Sequence, residues 1–163
     1  MKGTFNAGEI FEMAMQIERN GAKFYRKAAE GKAGRTSKGL LLRLADMEVQ
    51  HERTFAAMRD MLTTVEATSA TFDPDDEAVL YLQAIADGHV FNAKADPDVL
   101  LTGKESVADI LKTAIGLEKD SIVFYLGIQD LVAKTLGREK IGHIIREEMT
   151  HVTLLSAELA KAA

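Results

Sequence analysis

The sequence predicts an all-α protein in which four long helices form a bundle. Apolar residues recur at helical spacing in four stretches, no segment alternates as a strand does, and the only prolines, Pro74 and Pro97, lie near the middle of the chain. With 163 residues, 47% of them hydrophobic, the chain suffices for one domain with a sizeable core. We therefore expect a single domain over residues 1–163.

The first helix hairpin is predicted from two apolar stripes, over about residues 6–31 and 38–66. The segment from Gly31 to Ser37 interrupts the pattern and offers Thr36 or Ser37 as the N-cap of the second helix. The stripes consist of Phe11, Ala14, Met15, Ala22, Tyr25 and Ala29 on the first helix and of Leu41, Leu44, Phe55, Met58 and Leu62 on the second.

A long crossover, residues 67–104, separates this hairpin from a second one. It contains a predicted short helix through Val79 to Val90, and the residues from Ala95 to Asp98 break the chain after it. The third and fourth helices are predicted over about residues 105–132 and 138–162. The third directs Leu111, Ala114, Ile115, Ile122, Tyr125 and Ile128 inward, and the fourth directs Ile141, Ile144, Leu155 and Leu159.

The two hairpins repeat each other at an offset of 100 residues. Ile17-Glu18-Arg19-Asn20, with Phe24-Tyr25 following, returns as Leu117-Glu118-Lys119-Asp120, with Phe124-Tyr125 following; Glu48-Val49-Gln50-His51 returns as Glu148-Met149-Thr150-His151. Short loops make the helices within each hairpin antiparallel, whereas the long crossover lets the second and third helices run parallel.

Carboxylate and imidazole side chains interrupt the apolar stripes at matching places. Each helix has one Glu among its core residues, and the second and fourth helices add a His three residues later, on the same face. These candidate site residues are Glu18, Glu48, His51, Glu118, Glu148 and His151. Glu18 and Glu48 each lie about 15 residues, or roughly 22 Å, from the turn that joins their helices, so an antiparallel hairpin brings them side by side.

Four ionised carboxylates at one level of an apolar core are very unfavourable unless cations compensate them. Two divalent ions would balance the four negative charges, with the two neutral imidazoles completing the coordination. An oxygen-rich ligand set with one His per metal suits iron or manganese better than structural zinc. The alternative without metal is a buried layer of salt bridges.

Composition argues against several other classes of function. The net charge of −5 provides no basic footprint for nucleic acid, and the absence of cysteine excludes disulfides, thiolate catalysis and Cys-based metal sites. No apolar run reaches the roughly 20 residues of a membrane helix, and the start of the chain lacks the apolar core of a signal peptide. We therefore expect a cytoplasmic protein with no nucleic-acid or membrane partner.

The repeated motifs resemble the ferritin-like di-iron carboxylate proteins, which carry two Glu residues and two Glu-x-x-His motifs. Among these the sequence is most similar to the rubrerythrin family, through residues 17–25, 48–51, 117–125 and 148–151. The resemblance implies two iron ions bridged by Glu48 and Glu148, with Glu18 and Glu118 each chelating one iron, and His51 and His151 each capping one. It also implies reduction of hydrogen peroxide, or oxidation of ferrous iron by peroxide or dioxygen.

The sequence departs from that family in two respects. Typical rubrerythrins carry a rubredoxin domain with four Cys ligands, which this chain lacks, so the resemblance implies a separate electron-donor protein. They also have an additional Glu three residues after the ligand of the third helix, where this chain has Ser121, matched by Gly21 in the first helix. These small residues either leave room for dioxygen or peroxide, or allow close helix packing.

Tyr25 and Tyr125 follow Glu18 and Glu118 by two helical turns, on the same face. They are candidate hydrogen-bond partners of the ligands, or radical-quenching residues. The preference of Tyr for half-buried sites favours ordinary core positions instead.

Other titratable residues near the motifs have less specific interpretations. Glu52 and Glu147 point away from the ligand faces and toward the surface, although Glu147 could orient a ligand on a neighbouring helix. His89 and His143 have no Glu three residues earlier, and His143 is expected at the surface.

Three functions fit these predictions. The leading one is a di-iron oxidoreductase that reacts with hydrogen peroxide or dioxygen, as a rubrerythrin-like peroxidase or ferroxidase. A di-manganese or mixed iron–manganese centre would suit a catalase-like enzyme, because manganese catalases use a similar ligand set. The third is a non-catalytic metal-binding or iron-handling protein, and oxygenation of an organic substrate also stays open. Since related bundles often pair, we expect a homodimer.

Overall fold

The computed structural model describes residues 6–31, 37–63, 80–81, 84 and 96–162 of the chain. Within these ranges the regular elements are helical, and no β-strand element is present. The four long helices are α1 (Ala7–Glu30), α2 (Lys38–Asp60), α3 (Val107–Gln129) and α4 (Arg138–Ala162). A single helical turn at Pro97–Leu100 precedes α3, and a 3-10 turn at Lys134–Leu136 precedes α4. The prediction of an all-α four-helix bundle is confirmed.

Ion pairs between α1 and α2 define their relative direction. Arg59, near the end of α2, lies 2.5 Å from Glu12, near the start of α1. Arg19, further along α1, lies 2.6 Å from Glu52, which is earlier on α2. The two helices are therefore antiparallel, as predicted for a hairpin.

α1 and α3 also run in opposite directions. Tyr25, late in α1, bonds to Glu118 in the middle of α3, and Tyr125, late in α3, bonds to Glu18 in the middle of α1. Because α1 is antiparallel to both α2 and α3, the latter two helices are parallel. This is the arrangement predicted from the length of the crossover.

Capping boxes begin α1 and α3. The backbone N–H of Glu9 donates to the Asn6 side chain at 2.9 Å, and the Asn6 N–H donates to the Glu9 carboxylate at 3.0 Å. Ser106 and Asp109 repeat the arrangement in the second hairpin, with both bonds at 3.1 Å. Each box satisfies two backbone N–H groups and puts a carboxylate in the first turn, where the helix dipole favours it. The repeat therefore extends to the helix starts.

α2 begins at Lys38, as predicted, but differs from its prediction in the bond that its N-cap residue makes and in its end. Ser37 occupies the N-cap position, but its hydroxyl donates to Glu158 on α4 at 2.8 Å instead of capping its own helix. The helix ends at Asp60 and not at residue 66. Residues 61–63 are described and are not helical, and residues 64–66 of the predicted helix lie outside the described residues. The limits of the other three helices lie within three residues of those predicted.

The core consists of two apolar clusters near opposite ends of the bundle. One combines the start of α1 with the end of α3 and includes Phe11, Met15, Phe55, Met58, Phe124, Ile128, Ile141 and Ile144. The other combines the end of α1 with the start of α3 and includes Phe24, Ala29, Leu41, Leu44, Leu111, Ala114 and Leu155. Of the residues predicted to point inward, Leu62, Ile115, Ile122 and Leu159 are half-buried. No described helix is both long and apolar enough to cross a membrane.

Part of the crossover contacts α3 directly. Most of the helix predicted through residues 79–90 lies outside the described residues, but the described positions within that range are helical. Tyr81 packs against Gly127 so closely that a Cβ there would lie 2.1 Å from its ring, and its hydroxyl donates to the Val123 carbonyl at 2.5 Å. Pro97 begins a helical turn, so the chain break predicted there coincides with a helix start, a position that Pro favours.

Candidate metal centre

A buried polar layer separates the two apolar clusters. Its six carboxylate and imidazole side chains come from all four long helices, and none of these residues is more than 4% exposed. They are the residues predicted from the sequence: Glu18 from α1, Glu48 and His51 from α2, Glu118 from α3, and Glu148 and His151 from α4. The structure thus brings all six together, because each lies near the middle of its helix.

The potential ligand atoms of this layer fall into two groups. In each group, one ligand atom from each residue lies within 4.8 Å of the others. The first group contains Glu18, Glu48, His51 and Glu148, and the second contains Glu48, Glu118, Glu148 and His151. Ligand atoms bound to one ion at about 2.0–2.2 Å are separated by at most about 4.4 Å. The distances between the potential ligand atoms are therefore close to those expected around two neighbouring cations that share two carboxylates.

Several buried atoms in the layer have no hydrogen-bond partner among the described residues. They are Glu18 Oε2, Glu48 Oε1, Glu148 Oε2 and both ring nitrogens of His151. An unsatisfied buried polar group costs about 1–3 kcal/mol, and more when it is charged. Metal ions bound by these atoms would remove that cost. The donor set thus fits metal better than a completed layer of salt bridges.

Both imidazoles face the carboxylates through Nδ1. His51 Nδ1 lies 3.1 Å from Glu148 Oε1 and 3.5 Å from Glu18 Oε2. His151 Nδ1 lies 2.9 Å from Glu148 Oε2, although not in hydrogen-bonding geometry, and 3.4 Å from Glu48 Oε1. The two rings stack with their centroids 5.7 Å apart. Nδ1 is therefore the nitrogen that each His can offer to a metal.

Burial and mutual repulsion shift the ionisation of the layer. Burial, together with the neighbouring carboxylates, raises the pKa of Glu18 and of Glu118 well above its ordinary value. Burial opposes the ionisation of Glu148 as well, but the two imidazoles, whose Nδ1 atoms lie 3.1 Å and 2.9 Å from its oxygens, outweigh it and lower its pKa. Burial disfavours the charged form of His51 and His151, yet their carboxylate neighbours raise the pKa to about 11 and about 12. In the absence of metal, protons bound to the imidazoles and to Glu18 and Glu118 compensate the negative charge of the layer.

Tyr25 and Tyr125 form hydrogen bonds with Glu118 and Glu18, the two carboxylates that are not shared between the ligand groups. The Tyr25 hydroxyl donates a hydrogen bond to Glu118, and the Tyr125 hydroxyl donates one to Glu18. Burial and the nearby carboxylates raise the pKa of both hydroxyls, so they stay protonated. Both are core tyrosines, as the sequence favoured, and also the hydrogen-bond partners that it offered as the alternative.

Gly21 lets Glu48 lie close to the backbone of α1. A Cβ built on Gly21 would lie 3.3 Å from Cγ, Cδ and Oε2 of Glu48, closer than ordinary van der Waals contact. Ser121, the counterpart of Gly21 in α3, donates its hydroxyl to the Leu117 carbonyl of its own helix at 3.0 Å. Of the two interpretations of these small residues, the geometry at Gly21 supports close packing.

The remaining titratable residues singled out from the sequence lie around the layer. Glu52 forms a half-buried ion pair with an arginine of α1. The Glu147 side chain is 53% exposed, as expected, but its Oε2 lies 3.0 Å from His51 Nε2. Glu147 and His143 line a groove of about 520 Å³ between α2 and α4. His143 is exposed and belongs to neither ligand group, and His89 lies outside the described residues.

Together, the fold and the buried layer define a ferritin-like bundle with a carboxylate–histidine cluster at its centre. Residues 6–161 match the ferritin-like domain family, and the chain belongs to that family. No curated protein matches it. A Thermotoga maritima protein, whose crystal structure is described as that of a ferritin-like diiron-carboxylate protein, superposes with a TM-score of 0.70 at 24% identity over 98% of each chain. This similarity supports the fold.

Proposed function

We propose that the chain binds two iron ions and acts as a di-iron oxidoreductase on hydrogen peroxide or dioxygen. The observation that carries this proposal is the pair of buried ligand groups that share Glu48 and Glu148. Membership of the ferritin-like family supports it, as does the diiron-carboxylate description of the Thermotoga maritima protein.

The two ligand groups suggest a role for each residue. The two shared carboxylates would bridge the metals, and each metal position would be completed by one further Glu and one His. The bridging residues are Glu48 and Glu148, and the completing pairs are Glu18 with His51 and Glu118 with His151. Oxygen ligands with one imidazole per metal suit iron or manganese.

In this proposal the protein residues position the metal-binding carboxylates and keep water away from them. A bound iron pair supplies two electrons to an O–O bond, one from each ion. Tyr25 and Tyr125 hold Glu118 and Glu18 by hydrogen bonds and so fix the carboxylates that complete each metal position. The apolar clusters on either side exclude water, which strengthens electrostatic interactions within the layer.

Peroxide oxidation of the iron-loaded protein tests this function. Metal-free protein is loaded with Fe(II) without oxygen, mixed with hydrogen peroxide, and followed by absorbance. We expect both ferrous ions to be oxidised within about seconds by one equivalent of peroxide, which accepts two electrons. Glu48→Ala, which removes a shared carboxylate, is the control and should lose this reaction. Iron that binds but stays ferrous would show that the redox proposal is wrong.

A di-manganese or mixed iron–manganese enzyme with catalase-like activity is the second candidate, because the ligand set suits manganese as well. Sustained oxygen evolution from peroxide by the manganese-loaded protein, without any reductant, distinguishes it from the first. Strong thermal stabilisation by metal with no turnover would instead indicate a metal-binding or iron-handling protein.

A peroxidase cycle also requires a source of electrons. The chain contains no cysteine and therefore no thiolate-ligated iron of its own, so we propose a separate electron-donor protein.

We also propose that the protein forms a homodimer. Val123 and Leu126 on α3 are 43% and 52% exposed and offer apolar surface for such an interface. The cytoplasmic location stays a prediction.

A further inference from the structure

The two halves of the candidate metal centre are nearly symmetric. Tyr25 and Tyr125 make reciprocal hydrogen bonds, and each packs edge-to-face on the preceding Phe with ring centroids 5.6 Å apart. The two ligand groups likewise each contain three Glu and one His. An offset of 100 residues relates all of these pairs.

The two halves differ in the hydrogen bonding of the imidazole Nε2 atoms, which point away from the carboxylates of the layer. His51 Nε2, on α2, lies 3.0 Å from Oε2 of Glu147 on α4. His151 Nε2, on α4, has no hydrogen-bond partner among the described residues. The repeat places Met47 of α2 at the position equivalent to Glu147. A thioether is only a weak acceptor, so Met47 cannot replace the carboxylate.

This difference bears on how each His binds a metal. A neutral imidazole that coordinates through Nδ1 carries its proton on Nε2, and a carboxylate that accepts this proton in a hydrogen bond fixes the tautomer and the ring orientation. It also makes the coordinating nitrogen a stronger ligand, and loss of such partners typically lowers metal affinity by about 10- to 100-fold. His51 has this support from Glu147, whereas His151 has no such partner among the residues that the structure describes.

We infer that Glu147 is a positioning residue that makes the two metal positions unequal, so that the position completed by Glu18 and His51 binds a divalent ion more tightly than the other. The inference rests on the proposed metal centre but not on iron, on peroxide or on turnover. It predicts an order of filling that the near-symmetric ligand set alone would not produce.

Titration of the metal-free protein with Co(II), followed by calorimetry and by visible absorption, tests the inference. The wild-type protein should bind two ions in two steps whose affinities differ by about tenfold or more. Glu147→Met should weaken the tighter step by about tenfold or more, and Glu147→Gln, which retains an acceptor, should weaken it less. Met47→Glu should strengthen the weaker step. Glu139→Met, a similar change at an exposed position of α4, should alter neither step.

Variants that retain only one of the two metal positions identify which ion Glu147 affects. Glu118→Ala leaves the position of His51 intact, and Glu18→Ala leaves that of His151 intact. Glu147→Met should weaken Co(II) binding by about tenfold or more in the first background and leave it unchanged in the second. Equal weakening in both backgrounds, or no weakening in either, would overturn the inference while the metal centre stands. Failure of the wild-type protein to bind Co(II) at all would instead refute the proposed centre.

Discussion

Tyr125 on α3 donates its hydrogen bond to Glu18 on α1, and not to the Glu of its own helix. Tyr25 makes the reciprocal bond to Glu118. Each Tyr lies two turns beyond the Glu on its own helix, but the antiparallel arrangement of α1 and α3 brings it level with the Glu opposite. These two bonds join the hairpins at the depth of the candidate metal centre.

Removing one of these hydroxyls should weaken both the fold and the metal site. Tyr125→Phe deprives the buried Glu18 carboxyl of its donor, so we expect the free energy of unfolding to fall by about 1–3 kcal/mol in urea denaturation. Affinity for Mn(II) should fall by about tenfold, because Glu18 is less firmly held. Tyr81→Phe is the control, since its hydroxyl bonds to the Val123 carbonyl away from the layer. A Tyr125→Phe protein with wild-type Mn(II) affinity would contradict this role.

Shared and unshared carboxylates should differ in how many metal ions they control. Glu48 belongs to both ligand groups and Glu18 to only one. Protein reconstituted with Mn(II) should therefore contain two ions per chain in the wild type, about one in Glu18→Ala and almost none in Glu48→Ala. Elemental analysis measures this stoichiometry. The melting temperature of Glu48→Ala should also be insensitive to metal, and equal losses in the two variants would argue against bridging.

The sequence predicts the position of each candidate ligand because that information is local. Helical periodicity identifies the face on which Glu48 and His51 lie, and the distance of Glu48 from its turn identifies its depth. The internal repeat adds the correspondence between the hairpins. For the same reason the segment from Gly31 to Ser37 located the end of α1 and the start of α2 to within one residue.

The partners of these residues could not be predicted in the same way. Periodicity identifies a face, but the choice of partner depends on which helix lies opposite and at what rotation. Ser37 bonds to Glu158 instead of capping α2. The sequence offered Glu147 as a residue that could orient a ligand on a neighbouring helix, but it did not identify His51 as that ligand. The capping box at Asn6 was the exception: its signal, an Asn followed three residues later by Glu, is present in the sequence.

Gly21 should be required by the site and not by the helix. In Gly21→Ala the new Cβ would lie 3.3 Å from three atoms of Glu48, so the carboxylate must shift and Mn(II) affinity should fall by about tenfold. Gly116→Ala is the matched control, because no atom apart from its chain neighbours and the backbone of its own helix lies within 4 Å of its Cβ position. It should raise the free energy of unfolding by about 0.5–1 kcal/mol and leave affinity unchanged. Similar metal affinities in the two variants would refute the packing role.

Stability and metal affinity should change in opposite directions with pH. In the metal-free protein the pKa values of His51 and His151, about 11 and about 12, lie above the ordinary 6.5 of an unfolded chain. As pH rises from 6 to 9 the unfolded state releases protons that the folded state keeps, so stability should fall by up to about 1.4 kcal/mol per pH unit for each imidazole. The raised pKa of Glu18 and of Glu118 acts in the same direction. Urea denaturation in the presence of a chelator measures this loss.

Metal affinity, in contrast to the stability of the metal-free protein, should rise with pH, because an ion must displace the protons held by its ligands. At pH 7 each chain should release about two protons from His51 and His151 on binding two Mn(II) ions, and any proton held by Glu18 or Glu118 would add to this number. Affinity should therefore rise between pH 6 and pH 8. Calorimetry in buffers of different ionisation enthalpy counts the protons released. Mn(II) binding with no proton release would mean that the imidazoles are already neutral in the metal-free protein, and the predicted loss of stability with pH would then be absent as well.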